Sequence, residues 1–364
     1  MKKKILTLTI MIVCAVMVTV FSGPANAAVT GECVNCHTMH NSQGGVAMAT
    51  FGGGTGPNAT LLRGSCLGCH GQLPAGANNI ITDIPQVSHA DADALAGGNF
   101  KYVIDGPADS KGHNVNGLVA EDGTLGSDPP GYASAYDPAS TPFSSASRLT
   151  CAGTQGCHGN RDVLSEYTAV SGAHHNNDDV LKFGGIVEGS QGATVATSYR
   201  FLYKVKGGED SDWQNTTSAT DHNEYKGATY SDARATMAWA GVDTISELCS
   251  ECHGNFHLDA GVQDGNNDWI RHPADYIIPA SGEYNTISTT YNLTVPVARA
   301  AIPVAVADGT VTAGTDIVMC LSCHRAHASE YADILRWDYS GMVAGTTTTA
   351  GTGCFVCHTG KDGV

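Results

Sequence analysis

Apolar and polar residues alternate with little regularity along most of this chain, and only a few segments have the pattern of a helix or a strand. Residues 244–247 have the Thr-x-x-Glu form of a capping box, which predicts a helix through residues 248–252, with the fourth cysteine motif on this helix or just after it. A short amphipathic helix is predicted over residues 329–337, and Ser88 is predicted to cap another that ends at Leu95. Residues 294–315 are rich in Val and Ala around Asp308-Gly309, which predicts a β-hairpin. The pattern therefore predicts a loop-rich fold with short helices and minor β-hairpins.

The longest apolar run lies at the amino terminus, where three lysines precede residues 5–21 and Ala25-Asn26-Ala27 follows. A basic start, an apolar stretch and small residues at the end are typical of a secretory signal peptide. The alternative is a retained membrane anchor, but 17 residues are short for a span of about 20. We expect residues 1–27 to be removed, Cys14 with them, and the mature chain 28–364 to be secreted without a membrane span.

Cysteine and histidine occur together in a repeated motif. Five copies of Cys-x-x-Cys-His are accompanied by one longer variant with five residues between its cysteines. The regular copies are Cys33/Cys36/His37, Cys66/Cys69/His70, Cys249/Cys252/His253, Cys320/Cys323/His324 and Cys354/Cys357/His358, and the variant is Cys151/Cys157/His158. In this motif two thiols add to the two vinyl groups of one porphyrin, and the next histidine binds its iron, which makes it the attachment signature of c-type haem.

A single Cys-x-x-Cys pair also occurs in zinc ribbons and in thioredoxin-like redox sites. Repetition with a histidine after every pair favours haem instead. Thirteen cysteines without Cys14 leave six pairs and none for a disulfide framework. Six haems leave too few residues for six separate domains, so we predict one multihaem cytochrome c domain whose core is organised by a chain of covalently bound haems. A soft division is expected near residue 148, with two motifs before it and four after.

The third site leaves alternatives open. Gly153 and Gly156 within the insert would let the extra residues loop out while both thiols keep the separation that a porphyrin requires. We therefore expect a doubly attached haem at Cys151 and Cys157. The alternatives are a haem held by Cys157 alone, or a Cys151–Cys157 disulfide without haem.

Nine histidines lie outside the motifs, enough to give each of six irons a second imidazole. An iron without an open position favours electron transfer over catalysis, so we expect no enzymatic activity. His40, His257 and His327 follow a motif histidine by three or four residues. So short a segment cannot pass around the porphyrin edge, and each of these residues is expected to serve a different haem, which would hold neighbouring haems close together.

The net charge is −16 over the whole chain, before the haem propionates add to it. Nucleic acid is therefore excluded as a partner, because it binds to basic surfaces. An acidic surface is compatible with a protein outside the cell, although it can equally be a simple solvated face.

The segments around His37–Ser42, Lys111–Asn114, Arg271–Ala274 and Cys320–Ser329 resemble the OmcS-type extracellular hexahaem cytochromes. The resemblance implies a homopolymeric filament that delivers electrons to external acceptors, with His40 ligating a haem of the adjacent subunit. The distal ligands that the resemblance implies are His40, His89, His113, His257, His272 and His327. His174, His175 and His222 lie in a stretch without a recognised counterpart and are substitutes for them. The other interpretations are a monomeric carrier in the periplasm or at the outer membrane, and a multihaem reductase of a small oxyanion.

Overall fold

The computed structural model describes residues 31–49, 56–71, 80–81, 84–90, 95–106, 109–132, 143–176, 181–210, 213, 218–228, 243–257, 272–345 and 351–361. The predicted signal peptide, residues 1–27, lies outside the described residues. No described helix combines the length and the apolar character that a bilayer crossing requires. The division near residue 148 stays a prediction.

Regular secondary structure is short throughout the described residues. The α-helices are α1 Cys66–His70, α2 Lys101–Ile104, α3 Glu166–Ala169, α4 Ile245–Ser250 and α5 Gly254–His257. The strands are β1 Ser42–Gln43, β2 Val46–Ala47, β3 Ile80–Ile81, β4 Ile84–Pro85, β5 Gly207–Gly208, β6 Glu224–Tyr225, β7 Tyr276–Ile277 and β8 Ile317–Val318. They form four antiparallel pairs, β1–β2, β3–β4, β5–β6 and β7–β8. The expectation of a loop-rich fold with small hairpins is confirmed.

The helix predicted after Thr244 is present as α4, but its expected end is wrong. The Thr244 side chain accepts a hydrogen bond from the backbone N–H of Glu247 at 3.1 Å, which satisfies one donor of the first turn. The helix ends at Ser250, so Cys252 lies outside it. The N–H of Cys252 donates to the carbonyl of Cys249, three residues back, at 3.2 Å, and this tighter turn replaces the α-helical pattern. The fourth motif therefore begins in the last turn of α4 and closes beyond it.

Three other predicted elements differ from the structure. Residues 329–337 hold only a 3-10 turn at Ala332–Ile334, because Asp333 and Ile334 adopt positive φ angles of 57° and 56°, which a helix does not allow. Ser88–Ala90 and Leu95 are not helical, and residues 91–94 lie outside the described part. Residues 294–315 form no hairpin; Ala298 instead bridges to Ile317.

The apolar side chains of the described residues form several clusters around the cysteine motifs. The largest contains Tyr199, Leu202, Val205, Tyr225, Ile245, Leu248, Ala298, Ile317, Met319 and Leu321. Another is formed by Val295, Trp337 and Val356, and Cys323, Cys354 and Cys357 pack against it. Three motif cysteines thus pack against the apolar core.

Buried charge joins two of the loops that surround the largest cluster. The Arg299 guanidinium lies 3.0 Å from a Glu224 carboxylate oxygen and 3.0 Å from both Asp316 oxygens. It also donates to the carbonyls of Asp308 and Thr310, at 2.8 and 2.7 Å. The Asp308-Gly309 turn, expected at the tip of a hairpin, is therefore held by this arginine.

Candidate haem sites

The regular motifs share one backbone arrangement. In each, the cysteines lie on a tight helical turn, and the N–H of the motif histidine donates to the carbonyl of the first cysteine. In four copies these distances are 2.7 Å for His37 to Cys33, 2.9 Å for His253 to Cys249, 3.1 Å for His324 to Cys320 and 3.0 Å for His358 to Cys354; in the fifth, Cys66 to His70 is helix α1. The turn thus brings the two cysteines and the histidine together on one short stretch of backbone.

The second cysteine of a motif is held by the same turn. Its N–H donates to the carbonyl of the first cysteine, at 3.2 Å for Cys36, Cys252 and Cys323 and at 3.3 Å for Cys357. These four residues therefore repeat one local geometry, and Cys252 keeps it although it lies beyond helix α4.

The variant motif keeps the closing hydrogen bond of its histidine. The N–H of His158 donates to the carbonyl of Cys151 at 3.0 Å although three more residues separate them than in a regular copy. Within the insert, Gly156 donates to Gly153 at 2.8 Å, and Gly153 has a φ of +83°, which favours glycine. Cys151 and Cys157 are both free thiols. The extra residues thus loop out between the two ends of an otherwise regular motif.

Each motif histidine is oriented by a hydrogen bond from Nδ1. In five motifs the acceptor is a backbone carbonyl: that of Leu61 for His37 at 3.3 Å, Pro85 for His70 at 2.9 Å, Arg200 for His158 at 2.9 Å, Pro130 for His253 at 2.7 Å and Asp333 for His324 at 2.8 Å. For His358 the acceptor is a carboxylate oxygen of Glu283, at 2.8 Å. Since a carbonyl only accepts, Nδ1 must carry the proton, and Nε2 presents its lone pair. This is the arrangement by which proteins orient metal-binding histidines.

Three of the predicted distal histidines have the same orientation. The Nδ1 atoms of His40, His113 and His272 lie 3.0 Å from the Asn58 carbonyl, 2.7 Å from the Ala326 carbonyl and 3.0 Å from the Pro273 carbonyl. His89 differs, because the Asn99 amide donates to its Nδ1 at 3.3 Å. The Asn99 oxygen accepts from the backbone of His89 and Lys101, which fixes that amide. This contact favours the tautomer of His89 with its proton on Nε2.

Five motif histidines face a second imidazole across a gap of constant width. An imidazole nitrogen lies about 2 Å from the metal that it binds, so two rings on opposite sides of one iron have centroids about 6 Å apart. The observed centroid distances are 5.8 Å for His37–His175, 6.2 Å for His70–His174, 6.3 Å for His158–His327, 6.1 Å for His253–His113 and 6.1 Å for His358–His272. Five independent pairs at this spacing fit a metal between the rings.

Burial keeps several of these imidazoles neutral. It lowers the pKa of His113 and of His174 to about 4 and that of His327 to about 3, with smaller contributions from the neighbouring histidines. Only a neutral imidazole can donate its lone pair to iron. The rings are therefore in the protonation state that ligation requires at pH 7.

His324 is the motif histidine without an imidazole opposite it among the described side chains. Its ring is exposed, as is that of His40. His222 stacks on Tyr291 at 3.6 Å, and its Nε2 lies 3.2 Å from Glu224, so it belongs to the buried charge cluster. His257 ends helix α5, and its side chain lies outside the description.

The motif thiols show which sites are neighbours. A thiol of one motif lies close enough to raise the pKa of a thiol in the neighbouring motif: Cys36 acts on Cys69, Cys66 on Cys151, Cys157 and Cys320 on Cys249, and Cys354 on Cys323. Burial and the nearby Cys36 thiol raise the pKa of Cys69 to about 11. The six sites therefore follow one another in space in the order of the sequence.

A buried cation near these sites is also suited to a haem. The Nη2 atom of Arg336 is buried and has no hydrogen-bond partner in the described part of the chain, while Nε donates to the His324 carbonyl at 3.1 Å. Burial lowers the pKa of this guanidinium. An unpaired buried charge is costly, and a haem propionate is a partner of the required sign.

Comparison with known proteins supports the same cofactor. Residues 310–363, which contain the last two motifs, match the family described as "Doubled CXXCH motif". The chain is 28% identical to C-type cytochrome OmcS of Geobacter sulfurreducens over 84% of its own length and 78% of that protein. The chain resembles an OmcS-type multihaem c-type cytochrome. The predicted resemblance is thereby confirmed, and with it the fold class of a loop-rich multihaem cytochrome c.

Two solved structures are similar to this chain. They are the outer membrane cytochrome S filament of Geobacter sulfurreducens, at 22% identity, and the OmcS nanowires of the same organism, at 21% identity. Each comparison covers 93% of this chain and 94% of the other, with a TM-score of 0.46.

Sequence reasoning did not select the two histidines that face the first two motifs. His174 and His175 were only substitutes, yet they lie opposite His70 and His37. Their adjacency in the sequence is the signal that could have found them. Side chains of successive residues in a loop can point to different sides, so two adjacent histidines can serve two neighbouring sites.

Proposed function

We propose that this chain holds six c-type haems, each with two axial histidines, and that it conducts electrons outside the cell along the continuous row that they form. The constant spacing of the five imidazole pairs is the observation that carries this proposal. When bound, each haem supplies a one-electron Fe(III)/Fe(II) couple. An electron carrier is favoured over an enzyme because two imidazoles leave the iron no open position.

The ligand set follows from the ring pairs. His37, His70, His158, His253, His324 and His358 serve as the ligands next to the cysteines. As second ligands we assign His175 opposite His37, His174 opposite His70, His327 opposite His158, His113 opposite His253 and His272 opposite His358. None of these five is assigned to His324. This assignment puts His174 and His175 in the place of His89 and His257 among the expected ligands.

All twelve motif cysteines then form thioethers. Cys252 is included because its turn has the geometry of the other regular copies, although it lies outside the helix in which it was expected. Cys151 and Cys157 are included because the variant motif closes like the others. Each haem is therefore attached through two sulfur atoms.

His324 receives its second ligand from another copy of the chain. His40 is exposed, and its Nδ1 hydrogen bond to the Asn58 carbonyl leaves the Nε2 lone pair available. The His324 ring is exposed as well, so a neighbouring subunit can reach it. Since His40 and His324 are different residues, the contact is head-to-tail, and it builds a filament when successive contacts do not close into a ring. OmcS is the named component of filament structures, which supports this arrangement.

The order of the sites supports a continuous path. Successive motifs have neighbouring thiols, so six haems would lie in one row that begins near His40 and ends at the last motif. Polymerisation would extend that row from subunit to subunit. The signal peptide expected at residues 1–27 would deliver the chain out of the cytoplasm, where external electron acceptors or redox partners are met.

The test compares His40→Ala with a matched control, His175→Ala. Both remove one proposed axial ligand, but only His40 is assigned to a neighbouring subunit. We expect His40→Ala to abolish or weaken filaments in electron micrographs of the secreted protein while six haems per chain remain attached. His175→Ala should leave filaments intact and convert one haem to high spin in the electron paramagnetic resonance spectrum.

Unchanged filaments in His40→Ala would overturn the intersubunit ligation. Discrete particles from the unmodified chain under all conditions would replace the filament with a monomeric carrier. A high-spin haem in the unmodified filament would show an open iron and would support a reductase.

A further inference from the structure

One histidine differs from all others in what its Nδ1 atom contacts. Among the described rings, eight donate from Nδ1 to a backbone carbonyl. His358 alone faces a carboxylate, with Nδ1 2.8 Å from Oε1 of Glu283. The two side chains are 28% and 27% exposed, so the contact is largely shielded from water. A negatively charged acceptor makes this hydrogen bond stronger than the eight to neutral carbonyls.

The position of Glu283 is fixed by the segment that follows the last motif. Glu283 lies in the 3-10 turn Gly282–Tyr284, and its backbone carbonyl accepts a hydrogen bond from the Thr359 hydroxyl at 2.8 Å. A Cβ at Gly360 would lie 2.9 Å from the Glu283 Cα, so the two segments pack closely. The Tyr284 ring lies 5.1 Å from the His358 ring. The Glu283 backbone is thus held close to the segment that follows His358.

A carboxylate on Nδ1–H makes the imidazole a stronger electron donor through Nε2. Stronger donation stabilises the ferric more than the ferrous iron, because the ferric iron carries the larger positive charge. We propose that Glu283 lowers the reduction potential of the haem at Cys354 and Cys357 below the value that a carbonyl acceptor would give. The inference rests on the proposed function, since it takes His358 as an axial ligand. It places a low-potential site at the carboxyl-terminal end of the row.

The experiment compares Glu283→Gln with Glu188→Gln in the haem-loaded protein. The first variant replaces the carboxylate by a neutral amide of the same shape. The second makes the same charge change at an exposed residue of the 3-10 turn Glu188–Ser190. Haem content is measured from the absorbance of the pyridine complex, and potentials from a spectroelectrochemical titration combined with electron paramagnetic resonance.

We expect Glu283→Gln to raise the potential of one haem. At fixed potential its ferric-to-ferrous ratio should fall about tenfold, which corresponds to about 59 mV for one electron. One low-spin ferric signal in the electron paramagnetic resonance spectrum should shift in the same variant. Glu188→Gln should change neither the potential nor this signal. Should the glutamine variant fail to fold, Glu283→Ala, which removes the acceptor altogether, should shift the potential in the same direction.

The outcomes separate this inference from the proposed function. Full haem content with an unchanged titration in Glu283→Gln would overturn the inference and leave the electron conduit standing. Equal shifts in both variants would assign the effect to surface charge and would also overturn it. If His358→Ala keeps every haem low-spin, His358 is not a ligand, and the ligand assignment of the proposed function fails as well.

Discussion

The looped insert of the third motif can be tested by the substitution Gly156→Ala, which adds one methyl group. A Cβ added at Gly156 would lie 2.5 Å from the backbone N of Ala152 and 2.6 Å from its C and Cα, closer than the 3.0 Å that real Cβ atoms respect. All three are backbone atoms, so no side chain can swing aside. Relief requires the loop to open, which breaks the 2.8 Å hydrogen bond from Gly156 to Gly153. Overpacking costs about 1–3 kcal/mol, and the lost hydrogen bond about 1 kcal/mol.

Gly156→Ala should therefore destabilise the protein by about 2–4 kcal/mol. Gly189→Ala is the matched control, since a Cβ there meets nothing within 4 Å and the φ angle is ordinary. It should be neutral or slightly stabilising, by less than about 1 kcal/mol. Guanidinium unfolding measures the difference, and intact mass counts the haems, which should fall by one in a fraction of Gly156→Ala chains. Equal unfolding midpoints and full haem loading in both variants would refute the looped geometry.

Two further predictions concern buried charge. Burial, with the nearby Glu251, raises the pKa of Glu247 from 4.5 to about 8. The folded state then binds more protons than the unfolded state between these values, so this glutamate's contribution to stability is lost as the pH rises from 4.5 to about 8. Glu247→Gln should match the unmodified protein in urea unfolding at about pH 5 and exceed it at about pH 9; a pH-independent difference would contradict this. Glu224→Ala removes one of the buried carboxylates that neutralise Arg299 and should lower the free energy of unfolding by about 3–5 kcal/mol. The control Asp243→Ala breaks the half-buried pair with Lys206 and should lower it by less than about 1 kcal/mol. Thermal unfolding of both variants measures the difference.

Local features of the sites could be predicted from the sequence. Cysteine and histidine spacing determines how one haem is attached, because the two thiols and the imidazole lie on a single turn of backbone. The Thr244 cap is equally local, since the hydroxyl and the N–H that it satisfies are three residues apart. In both cases the interaction is complete within fewer than ten residues, and no distant segment can override it.

The histidines opposite the motif histidines could be predicted only in part, since the resemblance implies three of the five that the structure places there. His174 lies opposite His70 only because a long intervening segment folds back, and no spacing rule contains that information. The expected helix over residues 329–337 failed for a related reason. Asp333 takes a positive φ, and its carbonyl accepts the hydrogen bond of His324. The tertiary hydrogen bond to His324 thus outweighs an amphipathic pattern, because helical preference is worth only fractions of a kcal/mol per residue.

Regular secondary structure is scarce because the histidines need carbonyls as hydrogen-bond acceptors. An imidazole held through Nδ1 needs a carbonyl that is free to face it, whereas helices and sheets use their carbonyls in their own hydrogen bonds. Eight described histidines obtain such carbonyls, one of them from strand β4 and none from an α-helix. Arg200 and Asp333 supply two of them from positive φ angles of 47° and 57°, a conformation that costs about 1 kcal/mol or more for a residue with a side chain. This strain is tolerated where a carbonyl must point at a ring, so the loops and 3-10 turns of this protein orient the histidines of its candidate haem sites.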